Sequence, residues 1–294
     1  MSQSNLSRLI SPRSIAVVGH RGADFAIRES LKLGYTGQIW AIHPSRETIE
    51  GLECFKSVRD LPEAPDATFI AVNAEAAIEI VADLNRIGGG GAVLYASGFG
   101  EVGEDGIKRN LRLVEAAGKM PIIGPNCYGF INSLDSVVLW PDLHGCEALD
   151  KGVAIITQSG NIGLNMTMQS IGLPIAYMFT LGNQANTNIS DIINAVLDDD
   201  RVCAIGLHME GVSDIEAFDN AGRRALENKI PIVAIKTGRT NTSSQIALSH
   251  TSSLTGEDQL FDVLYDRLGI ARVDTVPEFL EALKLLSILG TIDH

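Results

Sequence analysis

Gly152-Val153-Ala154-Ile155-Ile156-Thr157-Gln158-Ser159-Gly160-Asn161-Ile162-Gly163 sets an apolar run, a polar turn and a helix start end to end. Residues 153–156 have no polar break, as expected of a strand buried on both faces of a sheet. Ser159 stands where an N-cap belongs, and a helical segment is predicted over residues 162–171. A buried strand feeding a helix through a short polar loop is the repeating unit of a parallel sheet covered by helices.

The same unit recurs in both directions. Downstream, strands are predicted at 175–179, 202–208 and 230–235, with helices at 189–197 and 215–227. Leu260, Phe261, Leu264 and Leu268 mark a further helix, with Thr255 and Asp258 suited to a capping box and Gly269 to a C-terminal cap. Pro277 opens a last helix over 278–289. Upstream, strands fall at 14–18, 39–42, 68–72, 92–95 and 121–123. Helices end at Gly34 and occupy 75–86 and 108–117. Composition changes at 140–151, where Trp140, Pro141, Gly145 and several charges interrupt the alternation. The expectation is two doubly wound α/β domains, residues 1–145 and 146–294.

Composition narrows the classes. Of 294 residues, 45% are hydrophobic and 20% charged, ordinary for a globular protein. No run reaches 18 apolar residues, so no membrane span is expected, and MSQSNLSRLISPRS lacks the apolar core of a secretory signal. A net charge of −13 argues against nucleic acid, whose phosphates need a positive surface. It leaves anionic small molecules open, because helix N-termini and backbone N–H groups bind phosphate without net charge. Cys54, Cys127, Cys146 and Cys203 form no CxxC and no Cys/His pattern, so reduced thiols, a cytoplasmic protein and no metal site are expected.

Ligands of open parallel sheets bind beyond the carboxyl ends of the strands, which makes the residues after each strand the site candidates. Gly19-His20-Arg21-Gly22 follows the first strand and reads either as a phosphate turn or as a structural one. It is not GxGxxG, and His43 stands where a ribose-binding acid of a nicotinamide enzyme would be. Ser159-Gly160-Asn161 opens a helix that could face an anion, or is a plain serine cap. Glu210 ends the expected central strand, either aimed into the crevice or solvated. Asp198-Asp199-Asp200 lies at the opposite edge and reads as a solvated turn. His250, in Leu248-Ser249-His250-Thr251-Ser252-Ser253-Leu254-Thr255-Gly256, is a surface histidine of a Ser/Thr-rich cap or a reacting one. An imidazole, a carboxylate and a helix start at one edge would suit a phosphohistidine.

With Ser11-Pro12-Arg13-Ser14-Ile15-Ala16-Val17-Val18-Gly19, Gly124-Pro125-Asn126-Cys127-Tyr128-Gly129, Thr157-Gln158-Ser159-Gly160, Glu210-Gly211 and Ser249-His250-Thr251, the chain resembles the NDP-forming acyl-CoA synthetases. These include ADP-forming acetate–CoA ligases and are related to the succinyl-CoA synthetase alpha subunit. The resemblance implies a Rossmann-like CoA-binding domain followed by a flavodoxin-like ligase domain. It implies that His250 carries a phosphoryl group, that Glu210 supports it, and that Ser159, Gly160 and Asn161 bind phosphate. CoA would lie across Gly19, His20, His43, Pro44, Ser45, Asn73, Ser97, Gly98 and Asn126. The implied reaction joins a small carboxylic acid to CoA through an acyl phosphate, with ATP/ADP (or GTP/GDP) and Mg2+ held by an ATP-grasp partner. That partner would be a beta-type subunit or a C-terminal domain, in an oligomer. The chain departs from the family at its shorter first loop, at Ser252 where glycine is usual, and at His43 where asparagine is usual. The alternative is a catalytically silent CoA-binding or regulatory module.

Overall fold

The computed structural model describes residues 5–19, 22–237 and 258–290. Among these, two seven-stranded sheets form, each built around its first long strand. The first sheet runs β3 (Thr48–Ile49), β4 (Leu52–Phe55), β2 (Gln38–Ile42), β1 (Ser14–Gly19), β5 (Ala67–Ala71), β6 (Ala92–Leu94), β7 (Ile122–Ile123). All neighbours are parallel except the edge strand β3. Setting that edge aside, the order is that of a Rossmann sheet, which reverses direction between β1 and β5. Every residue of β1 is buried, as the unbroken Ser-Ile-Ala-Val-Val-Gly run requires.

The second sheet runs β14 (Ala271–Arg272), β13 (Ile232–Lys236), β12 (Val202–Met209), β10 (Gly152–Thr157), β11 (Ile175–Thr180), β8 (Gly129–Asn132), β9 (Val137–Leu139). The five parallel strands have the flavodoxin order, with the reversal between β10 and β12. The β8–β9 hairpin adds to it antiparallel, with Gly129 opposite Thr180. The second sheet thus takes in strands that precede the expected boundary at 145 and 146, and the sheets change over before Gly129. The reason is pairing: β11 would otherwise leave an edge of unpaired backbone groups, and the hairpin covers it.

Buried polar groups bind the two layers together. The Ser30 hydroxyl donates to Val138 O at 3.0 Å and accepts from Val138 N at 2.9 Å, fastening β9 to the helix Ala23–Leu33. Asn186 of the second layer accepts from Ile122 N at 2.8 Å, completing the edge strand β7. The carboxyl ends of both sheets consequently open onto one cleft.

Candidate functional site

That cleft has a volume of about 870 Å³. Asn73, Ser97 and Asn126 line it from the first sheet, and Ser159, Gly160, Asn161 and Glu210 from the second. Seven residues picked as site candidates from sequence therefore share one space. Topology is the cause: Asn73 follows β5 and Glu210 follows β12, each beside a reversal point.

Each is held by backbone chemistry. Asn73 caps the helix Ala74–Ile87, its Oδ1 accepting from Ala76 N at 3.0 Å. Asn126 has a positive φ of 58°, a conformation asparagine tolerates better than most residues. Its backbone N–H donates to Ala96 O at 2.8 Å. Ser159 caps the helix Gly160–Thr167, its Oγ accepting from Ile162 N at 3.4 Å. The ring of Tyr128 packs flush on that helix start, since a Cβ on Gly160 would stand 3.0 Å from Tyr128 Cδ1. A side chain at Gly160 would therefore press on that ring.

Glu210 is positioned by a residue whose role the sequence reading missed. Buried Gln158 accepts from Glu210 N and, at 3.1 Å, from Gly211 N, and its Nε2 donates to Gly211 O at 2.7 Å. Gln158 stood within a quoted motif, but nothing in sequence says that its amide reaches a loop 52 residues away. Glu101 was missed as well. Its carboxylate accepts from Gly98 N, from Phe99 N at 3.2 Å, and from Asn183 Nδ2 across the cleft. Arg109 Nη1 donates to Gly98 O at 2.7 Å, so the Ser97-Gly98 turn is clamped on both sides.

Other candidates fall elsewhere. Gly98 adjoins the cleft without lining it, and Gly19 ends β1 with φ 116°, where a Cβ would sit 2.4 Å from Ala71 O. His43, Pro44 and Ser45 form a turn at the end of β2, on the far side of β1 from β5, with Pro44 and Ser45 exposed. His43 Nδ1 accepts from Ser45 N at 3.2 Å and Arg46 N at 3.1 Å, which makes it a turn cap. His20 and His250, with Thr255, lie outside the described residues.

A second histidine supports the loop from beneath. His208 is 4% exposed, and its Nδ1 lies 3.0 Å from Thr157 Oγ1, which in turn accepts from Ser159 N at 3.0 Å. Burial pushes the His208 pKa down to about 4, so the ring is neutral at pH 7. The unfolded chain binds this proton near pH 6.5 and the folded chain only near 4, so the contribution is complete above 6.5 and lost as pH falls through about 4. Urea titrations are expected to show stability falling by on the order of 3 kcal/mol across that window. His208→Asn should flatten that slope; an unchanged slope would assign it to other groups. Burial also lowers the pKa of Lys236, at the end of β13, while Asp258 and Glu210 oppose the shift. The Lys236 ammonium lies 4.9 Å from the Phe261 ring centroid.

Among the described residues, no group of three His, Cys, Asp or Glu side chains could hold a metal, and no helix is long and apolar enough to cross a membrane.

Residues 13–133 match the CoA-binding domain family, and residues 150–286 the succinyl-CoA-ligase-like flavodoxin domain family. The alpha subunit of acetate–CoA ligase [ADP-forming] I from Pyrococcus furiosus is 31% identical over 96% of this chain and 63% of its own length. The chain belongs to the NDP-forming acyl-CoA synthetase family. An acetate–CoA ligase [ADP-forming] from Methanocaldococcus jannaschii is also 31% identical, over 96% of this chain and 40% of its own. A solved acetyl-coenzyme A synthetase of Ca. Korarchaeum cryptofilum, in complex with phosphate and ADP, superposes with a TM-score of 0.87 at 27% identity. It is covered over 62% of its length, and 96% of this chain is matched. The chain spans 40% to 63% of the length of these synthetases.

Proposed function

We propose that this chain is the alpha-type portion of an NDP-forming acyl-CoA synthetase and works with an ATP-grasp partner. The observation that carries this reading is the single cleft shared by Asn73, Ser97 and Asn126 of the CoA-binding side and Ser159, Gly160 and Glu210 of the ligase side. The relatives' names supply the class of reaction, ADP-forming ligation of a carboxylic acid to CoA. In the direction of nucleotide formation, a phosphate oxygen attacks the thioester carbonyl, the CoA thiolate leaves, and an acyl phosphate forms. An imidazole nitrogen of His250 then takes the phosphoryl group, releasing the carboxylate, and passes it to ADP on the partner.

In this scheme the helix Gly160–Thr167 offers its free N–H groups to the phosphate oxygens. Glu210 faces the phosphorylated imidazole and offsets its positive charge. The Mg2+ that accompanies the nucleotide is assigned to the partner together with the nucleotide. Incubation with an ATP-grasp beta-type subunit and γ-labelled ATP should place base-stable, acid-labile phosphate on this chain. Free CoA and carboxylic acid should then discharge it. Absence of label in a mixture whose partner binds ATP would refute the reading.

A further inference from the structure

The cleft has one aromatic corner, formed by Tyr95 and Tyr128. Tyr95 follows β6 and Tyr128 precedes β8, so each sheet contributes one ring. Their centroids are 6.0 Å apart at an interplanar angle of 72°. Each ring is backed by a fully buried aromatic: Phe69 stacks on Tyr95 at 6.4 Å, and Trp140 meets Tyr128 edge-on at 5.2 Å. The Tyr128 amide is fixed too, donating to Thr180 Oγ1 at 2.9 Å. The corner is therefore rigid on both arms.

It is also wet. Tyr95 is 39% exposed, in a cleft whose lining includes five amide and two serine side chains. Aromatic surface left to water inside a polar cleft is surface that an apolar ligand group would gain by covering. Its position says which group. An acyl carbonyl exchanging between phosphate and thiol has to sit at the start of the helix Gly160–Thr167, and the Tyr128 ring lies flush against that start. The acyl tail then leaves along the tyrosines. Glu210, itself part of the lining, would repel a second carboxylate on the tail.

We propose that Tyr95 and Tyr128 form the acyl-group subsite, and that it favours monocarboxylic acids with an aryl or similarly flat tail over acetate and over dicarboxylic acids. This rests on the function proposed above. The stacked or edge-on contact of one further ring predicts a preference of about 3- to 10-fold.

The test uses the full chain alone, titrated calorimetrically with CoA, acetyl-CoA, phenylacetyl-CoA and succinyl-CoA. Phenylacetyl-CoA should bind about 3- to 10-fold more tightly than acetyl-CoA, and succinyl-CoA no better than acetyl-CoA. Tyr95→Leu and Tyr128→Leu should bring the two monocarboxyl thioesters within about 2-fold of each other, while Tyr128→Phe retains the preference. The exposed Tyr95 position keeps the test open should Tyr128→Leu fail to fold. Equal affinities in the wild type, or a preference surviving both leucine variants, overturns the subsite. So does an equal weakening of unacylated CoA, which would give the corner to the CoA moiety itself. If CoA does not bind the wild type at all, the parent reading fails rather than the corner.

Discussion

Gln158→Leu is expected to lower the free energy of unfolding by about 3–6 kcal/mol. The buried Gln158 amide serves three backbone groups, Glu210 N–H, Gly211 N–H and Gly211 C=O. Leucine has similar bulk, so little cavity forms and the cost is that of stranding these groups. Each buried polar group left without a partner costs about 1–3 kcal/mol. Half-buried Glu210 can recruit water for its amide, which places the sum toward the lower end. Urea denaturation should show a lower midpoint at an unchanged m-value. A loss below about 1 kcal/mol would mean that the Glu210-Gly211 turn stands without this clasp.

The Gln158 clasp also marks where sequence stops being informative. Continuous apolar runs such as Ser14–Gly19 identify themselves as buried parallel strands, and the helix Ile215–Glu227 is legible at both ends. Parallel order then sends every strand-to-helix loop to the same edge, which is why so many candidate residues meet. Strand order is another matter. It follows from side-chain packing between helices and sheet faces, and no local pattern encodes it. Gln158 meets Glu210 only because β12, rather than β11, lies on that side of β10 at the reversal point. His43 follows a strand just as Asn73 does, yet β2 lies across β1 from β5, and its turn does not line the cleft.

Two of the short strands were illegible for a related reason. Thr48–Ile49 and Ala271–Arg272 have two residues each, too few for any period to show. The hairpin Gly129–Asn132 and Val137–Leu139 belongs to the second sheet through a pairing with residues 177–180. A reading that sought the boundary in Pro, Gly and charge found the composition change at 140–151 and passed over the hairpin. Tyr95 and Tyr128 were overlooked because an aromatic at a strand end ordinarily belongs to the core. Only the fold shows that these two face an opening.

Glu210→Gln is expected to slow phosphoryl uptake by the chain about 10²- to 10³-fold with little change in stability. The substitution keeps shape and removes charge, and the backbone clasp from Gln158 to Glu210 N is indifferent to the side chain. What is lost is the negative charge proposed to face a phosphorylated, cationic imidazole, and a preorganised partner of that kind contributes about 2.7–4 kcal/mol. Glu210 is also one of the carboxylates that oppose the burial-driven fall of the Lys236 pKa, so neutralising it should move that pKa further down. His250→Asn should reduce label to background, and the double variant should be no worse, because the two side chains are proposed to act on one phosphoryl group, and such losses are not additive. Rapid-quench measurement of acid-labile phosphate, alongside urea midpoints, separates this from Gln158→Leu, which loses fold and label together. Normal uptake by Glu210→Gln would leave the carboxylate a solvated strand end and transfer its role to another group.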